Sequence, residues 1–200
     1  MWLIIGLGNP GERYAGTRHN LGFLVVNRLA ADLAVKFTRQ GQSLVAAGRL
    51  GETPVVLAKP LTFMNLSGQA VHRLLVQHRL TPDELTVVHD DLDLPAGRLR
   101  FKRGGGSGGH RGVASLVTEL GTADFIRLKL GIGRPPLGVD PADFVLQPLA
   151  EANLALYGLQ TARAVDALKT MLAQGLAVAM ERYHAHDPAC GEGDADGSPA

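Results

Sequence analysis

Residues 1–20 read MWLIIGLGNPGERYAGTRHN, and the parsing of this stretch decides the fold. Residues 1–6 have the length and apolar character of a buried strand. Gly6, Gly8 and Gly11 then spell G-x-G-x-x-G, the fingerprint of a dinucleotide-binding turn. In such a turn the helix begins within the glycines, so that its N-terminus meets a pyrophosphate. Here Pro10 lies inside the motif, and helical periodicity starts only near Thr17. The ribose-binding acid should end a second strand about 20 residues on. Asp32, the nearest candidate, falls in mid-helix among Ala and Leu. The cofactor spelling is therefore set aside. The glycines are read instead as a sharp bend after the first strand that brings Asn9 and His19 to one cleft.

Working outward, Leu21, Leu24, Val25, Leu29 and Leu33 share one helical face. Residues 43–50 and 54–59 are strand-like and joined around Gly51-Glu52, a hairpin. Ser67 is placed to cap a helix running to about Arg79, with Val71, Leu74 and Leu75 inward. Thr81-Pro82-Asp83-Glu84 has the capping-box spelling. Residues 85–89 are an apolar strand ending in HDDLDLP, and residues 98–103, RLRFKR, alternate basic and apolar side chains like a half-exposed strand. A glycine cluster, GGGSGGHRG, leads into a helix over 113–120 stopped by Gly121. Residues 126–132 form another strand, Asp140-Pro141 starts a short helix, and residues 149–183 are helical with a break near Gly175. This alternation predicts an α/β fold: a single domain with a mixed, largely parallel twisted sheet, flanked by helices on both faces.

The chain has 200 residues, 46% hydrophobic and 20% charged, with no apolar run near the ~20 residues that span a bilayer. No membrane partner and no signal peptide are expected. Cys190 is the only cysteine, which excludes an internal disulfide and a cysteine metal site and agrees with a cytoplasmic protein. The net charge of +1 hides an asymmetry. Residues 187–200 carry four acids and no Lys or Arg, and are expected to be a disordered acidic tail. Residues 1–186, the expected folded domain, hold 20 basic against 15 acidic residues, a body charge of +5 that permits a polyanionic partner.

Ligands of open α/β sheets sit beyond the carboxyl ends of strands. Two such ends carry chemistry here: Asn9, after the first strand, and Asp90, ending residues 85–89. HDDLD resembles a metal cluster in composition, but Asp90 and Asp91 are adjacent on a strand and point to opposite sides. Gly105-Gly106-Ser107-Gly108-Gly109 formally spells a nucleophile elbow, yet an elbow is strained and fixed, whereas this run reads as a mobile loop. His72 and His78 fall on an amphipathic helix, and His184 and His186 at a fraying end. His19 and His110 stand apart, each at a loop-to-helix junction beside glycines. A His, an Asp and a few Asn with no usable nucleophile suit direct activation of water. Arg98, Arg100, Lys102, Arg103 and Arg111 form a basic set without an intervening acid, and Lys129 alternates onto a matching face.

Taken together, GLGNPGERYAGTRHNLG, KPLTFMNLSG, HDDLDLPAGRLRFKRGGGSGGHRG and RLKLGIGRP resemble the bacterial-type peptidyl-tRNA hydrolases. The resemblance covers nearly the whole chain except the acidic tail. It implies hydrolysis of the ester between a peptide and the tRNA 3′ ribose, for tRNA recycling in translation, with peptidyl-tRNA as partner, no cofactor and no metal. It implies a monomer. His19 matches the catalytic general base, Asp90 the acid that holds it, and Asn9 the asparagine that senses the blocked peptide end. Asn65 matches a substrate-positioning residue, with Phe63 and Met64 its apolar neighbours. Tyr14 matches a tRNA-contacting residue, and Lys102 and Lys129 the pair gripping the tRNA 5′ phosphate. GGGSGGHRG matches a mobile loop over the cleft with His110 at its end. The family pattern reads His-Asn where this chain has His110-Arg111. Arginine cannot accept a hydrogen bond but holds phosphate well, so Arg111 is expected on the tRNA backbone. A non-catalytic RNA-binding module on the same fold is the rival reading.

Overall fold

The structure, a computed structural model, describes residues 1–184. The expected acidic tail at 187–200, with His186 and Cys190, lies outside the described residues. Seven strands form one sheet in the order β2-β3-β4-β1-β5-β7-β6. They are β1 (Trp2–Gly6), β2 (Thr38–Gln40), β3 (Ser43–Leu50), β4 (Thr53–Pro60), β5 (Leu85–Asp91), β6 (Leu99–Arg103) and β7 (Ile126–Gly131). The central four, β4-β1-β5-β7, run parallel. The β2-β3-β4 meander and the β6-β7 pair add antiparallel wings. The helices are α1 (Leu21–Asp32), α2 (Ser67–His78), α3 (Arg111–Leu120), α4 (Pro141–Leu146), α5 (Glu151–Gln174) and α6 (Leu176–His184). The single α/β domain expected from the sequence is the one observed.

Strand alternation divides the core in two. Ile4, Val88, Leu128 and Leu130 pack against α1, α5 and α6 on one face. Leu3, Ile5, Val87 and Leu85 pack against α2 and α3 on the other. Each fully buried Leu or Ile contributes roughly 1.5–3 kcal/mol relative to exposure, so β1 and β5 are fixed from both sides. The chain runs from β1 outward to β4, then returns to the opposite flank of β1 for β5. This reversal opens a crevice beyond the carboxyl ends of β1 and β5.

The glycines of the opening stretch act differently from the expected bend. A Cβ on Gly6 would lie 2.2 Å from the Gly22 carbonyl oxygen, and one on Gly8 would lie 2.7 Å from the Phe23 ring. Gly6 lets α1 lie backbone-to-backbone on the end of β1, and Gly8 makes room for the Phe23 ring. Only Gly11, at φ 107, takes a conformation that favours glycine. α1 starts at Leu21, after short 3₁₀ turns at Glu12–Tyr14 and Arg18–Asn20, which is later still than the expected Thr17.

Other local expectations are corrected in detail. Ser67 is the first residue of α2 rather than its cap, and Leu66 stands at the capping position. The Thr81–Glu84 capping box forms, but it closes only one 3₁₀ turn before β5. Asp32 ends α1 and pairs with Lys169 at 2.5 Å. His184 does not fray: its Nε2 accepts the Phe101 N–H at 2.7 Å, and Arg98 donates to its carbonyl at 3.2 Å. The helix break falls at Gly175, at φ 93. Among the described residues, no helix is long and apolar enough to cross a membrane.

Candidate functional site

Asp90 occupies the end of β5 at the crevice floor and is 2% exposed. The 3₁₀ turn before α1 delivers His19 from one face of the sheet, and the start of α3 delivers His110 from the other. His19 Nδ1 lies 2.9 and 3.0 Å from the two Asp90 carboxylate oxygens. His110 Nε2 lies 3.0 Å from Oδ1. The two rings sit 4.8 Å apart between centroids. Burial alone would raise the Asp90 pKa. The attraction and hydrogen bonds of His110 and His19 outweigh it and hold the carboxyl well below the ordinary range.

The tautomers follow from the hydrogen bonds. His110 is the N-cap of α3, and its Nδ1 accepts the N–H groups of Gly112 at 3.1 Å and Val113 at 3.3 Å. An accepting Nδ1 carries no proton, so the ring proton sits on Nε2 and is donated to Asp90. His19 donates from Nδ1 to the same carboxylate. Its Nε2 has no partner among the described residues and faces a cleft of about 400 Å³. The His19, Asp90 and His110 donor atoms lie within 4.8 Å of one another, a spacing that a metal ion also accepts. Apart from His19 Nε2, the ring nitrogens are engaged with Asp90 and the α3 cap, which leaves one lone pair free for proton transfer.

Asn9 enters from the β1 end. Its backbone N–H donates to Asn20 Oδ1 at 2.9 Å, and Asn20 Nδ2 returns a bond to the Asn9 carbonyl at 3.0 Å. The Asn9 Oδ1 accepts the Met64 N–H at 2.9 Å. With Oδ1 engaged by Met64, Nδ2 is the side-chain atom of Asn9 left to donate. The cleft collects Asn9, Tyr14, His19, Phe63, Met64, Asn65, Asp90, His110 and Arg111. Met64 is buried, whereas Phe63 is 56% exposed and offers an apolar lip.

Lys102 and Lys129 do not line the cleft. They lie on β6 and β7, where Arg100 is opposite Lys129 and Lys102 opposite Arg127. Opposed side chains share a face. Four cations therefore form a square, as the alternation of Lys129 in the sequence foretold. Lys129 is paired with Asp91 at 2.5 Å, and both side chains are largely buried. Asp90 and Asp91 do point to opposite sides, as adjacent strand residues must. Ser107 lies outside the cleft lining, in line with the rejection of an elbow.

Sequence reasoning missed several parts. Asn20 clamps Asn9. His89 is fully buried, donates toward the Asp90 carbonyl at 2.7 Å and sits edge-on to His110 at 4.7 Å. Burial first, and His110 next, push its pKa well below the ordinary value. Asp140, Pro141, Ala142, Val145 and Leu146 form a further wall. Arg18 straps that wall down: its guanidinium stacks 4.1 Å over Phe144 and donates to the Phe144 carbonyl at 3.3 Å. Asn20 and Arg18 both flank His19 in the quoted stretch, but their partners could not be paired from sequence.

A cleft at the carboxyl end of a parallel sheet, with an unengaged imidazole nitrogen backed by a buried carboxylate, is an arrangement able to accept a proton from water. The sequence profile of the peptidyl-tRNA hydrolase family matches residues 3–190. The peptidyl-tRNA hydrolase of Moorella thermoacetica is 48% identical over 184 residues, which is 91% of this chain and 97% of that protein. That of Mycobacterium tuberculosis is 48% identical over 185 residues, covering 92% and 97%. The crystal structure of peptidyl-tRNA hydrolase from Acinetobacter baumannii aligns with a TM-score of 0.88 at 33% identity, over 94% of this chain and 96% of that one. The chain belongs to the peptidyl-tRNA hydrolase family.

Proposed function

We propose that this enzyme cleaves the ester between a peptide carboxyl group and the 3′ ribose of tRNA by direct attack of water, without a metal. The observation that carries the mechanism is His19, whose Nδ1 is held by Asp90 while Nε2 stands unengaged at the cleft. Nε2 takes a proton from water as the hydroxide adds to the ester carbonyl. Asp90 balances the imidazolium, and the same proton passes to the departing ribose oxygen. An ester to a ribose hydroxyl has a good leaving group, so one base and a few amide donors suffice.

Asn9 Nδ2 is the donor for a peptide carbonyl absent from free aminoacyl-tRNA, the kind of polar contact that discriminates strongly. Asn65 positions the attacked carbonyl, with Phe63 and Met64 against the adjoining side chain. His110 keeps Asp90 aligned. Tyr14 and Arg111, at the cleft mouth, contact tRNA. Lys102 and Lys129 receive the 5′ phosphate. Lys102 is the more available of the two, and Lys129 must exchange Asp91 for the phosphate. The enzyme works as a monomer in the cytoplasm, where its substrate arises.

The test compares hydrolysis of N-acetylated and free aminoacyl-tRNA with chelator present. Fast cleavage of the blocked substrate alone is expected. Equal rates would remove the role of Asn9, and loss of activity in chelator would remove the metal-free mechanism.

A further inference from the structure

Arg127, on β7, has a fully buried side chain. No carboxylate pairs with it among the described residues. Its Nη1 donates to the Gly106 carbonyl at 2.7 Å and its Nη2 to the Gly105 carbonyl at 2.6 Å. The guanidinium lies 5.0 Å from the Phe125 ring centroid, and Nε is buried without a partner. A buried cation answered by carbonyl dipoles and an aromatic ring, with no carboxylate, is a costly way to fill space. What an apolar residue could not supply is the planar fork that fixes two carbonyls at once.

Those carbonyls form the stem of the glycine loop. Gly104, Gly105, Gly108 and Gly109 all have positive φ, from 59 to 86, and bring no side chain to hold the loop in place. At its far end Gly108 and Gly109 line the cleft, and His110 N–H donates to the Ser107 carbonyl at 3.1 Å. The loop is thus fastened at its stem by the Gly104 N–H to the Phe125 carbonyl at 3.3 Å and by Arg127, and by His110 where it enters α3. We infer that Arg127 is a positioning residue for hydrolysis: by gripping Gly105 and Gly106 it sets where the loop leaves the sheet, and so where His110 meets Asp90. This rests on the reading of His19 and Asp90 as the reacting pair. Lys102, opposite Arg127, lies against the same Gly105, so a phosphate pulling on Lys102 tugs a stem that Arg127 keeps in place.

Arg127→Lys and Arg127→Met separate this role from the alternatives. Steady-state kinetics on N-acetyl-aminoacyl-tRNA, affinity for deacylated tRNA and amide exchange across residues 104–110 are measured on each. Both variants are expected to lose about tenfold or more in kcat, with KM and tRNA affinity within about threefold of wild type. Loop amides should exchange faster in both, because lysine keeps the charge but not the fork. Full kcat in Arg127→Lys with a raised KM in Arg127→Met would overturn the inference, since the residue would then be a phosphate ligand. Unchanged loop exchange in Arg127→Lys would overturn it too, and is readable even where Arg127→Met does not fold. A wild-type enzyme inactive on the blocked substrate, or a fully active His19→Ala, would instead break the reading beneath it.

Discussion

At the carboxyl ends of β1 and β5 charge is matched within the protein: Asp90, 2% exposed, serves two imidazoles, and its neighbour Asp91 pairs with Lys129. At the β6-β7 edge, charge is abundant and of one sign: Arg100, Lys102, Arg127 and Lys129 sit on a single face. The centre is parallel and buried on both sides, so each polar group there must find its partner within the protein. The edge is antiparallel and half-solvated: Arg127 is buried and Lys129 is paired with Asp91, but Arg100 and Lys102 are exposed and available to a partner that brings its own charge. If the first region carries the reaction and the second the grip on tRNA, as proposed above, substitutions should separate them.

The largest effect is expected at His19. His19→Ala should lower kcat by about 10²–10⁴-fold with KM little changed, and a variant within tenfold of wild type in single-turnover assays would break the division. Asp90→Asn comes next. It keeps the shape but turns an acceptor shared by two ring N–H groups into a mixed donor and acceptor, and kcat should fall about 10²-fold. At the edge the signature reverses. Lys102→Ala should leave kcat intact, raise KM, and flatten the slope of log affinity against log salt by about 1. Arg111→Ala, at the mouth between the two regions, should flatten the slope by a similar or smaller amount; no change in slope would remove it from the tRNA contact.

The smallest effect concerns stability. His89 is buried and its folded pKa lies well below the ordinary 6.5, so the unfolded chain binds the extra proton. Its contribution is therefore complete above that ordinary value and is lost as the pH falls below it. Between pH 7.5 and 5.5 the wild type should lose about 1 kcal/mol more than His89→Gln in urea unfolding. Equal losses would mean that His89 is not held neutral by the fold.

The parallel centre was legible because strands buried on both faces read as unbroken apolar runs, as in residues 85–89. The meeting of His19, Asp90 and Asn9 was legible because Asn9 and Asp90 follow or close strands and His19 stands just before a helix, where little else explains them. β2 was not anticipated: Thr38–Gln40 is three residues of exposed or half-exposed edge with no hydrophobic alternation. The Ser67 cap misled because a serine ahead of an apolar run looks the same one residue inside the helix as at its cap. The α4 wall and the Arg18 strap rest on contacts across more than 120 residues, and the pairing of Lys129 with Asp91 depends on register between β5 and β7. Spacing along the chain carries none of that information.

His184 closes the account of β6, the outermost strand. A border strand with free N–H groups is a template on which another chain can stack, and association of that kind ends in aggregates. Here the backbone N–H of Phe101 is already taken by the His184 ring, which stands near-parallel to the Phe101 ring at 6.4 Å between centroids. Burial, and then the nearby Arg100, lower the imidazole pKa and favour the neutral ring that can accept this bond. The end of α6 thereby acts as a guard at Phe101 on this open margin of the sheet.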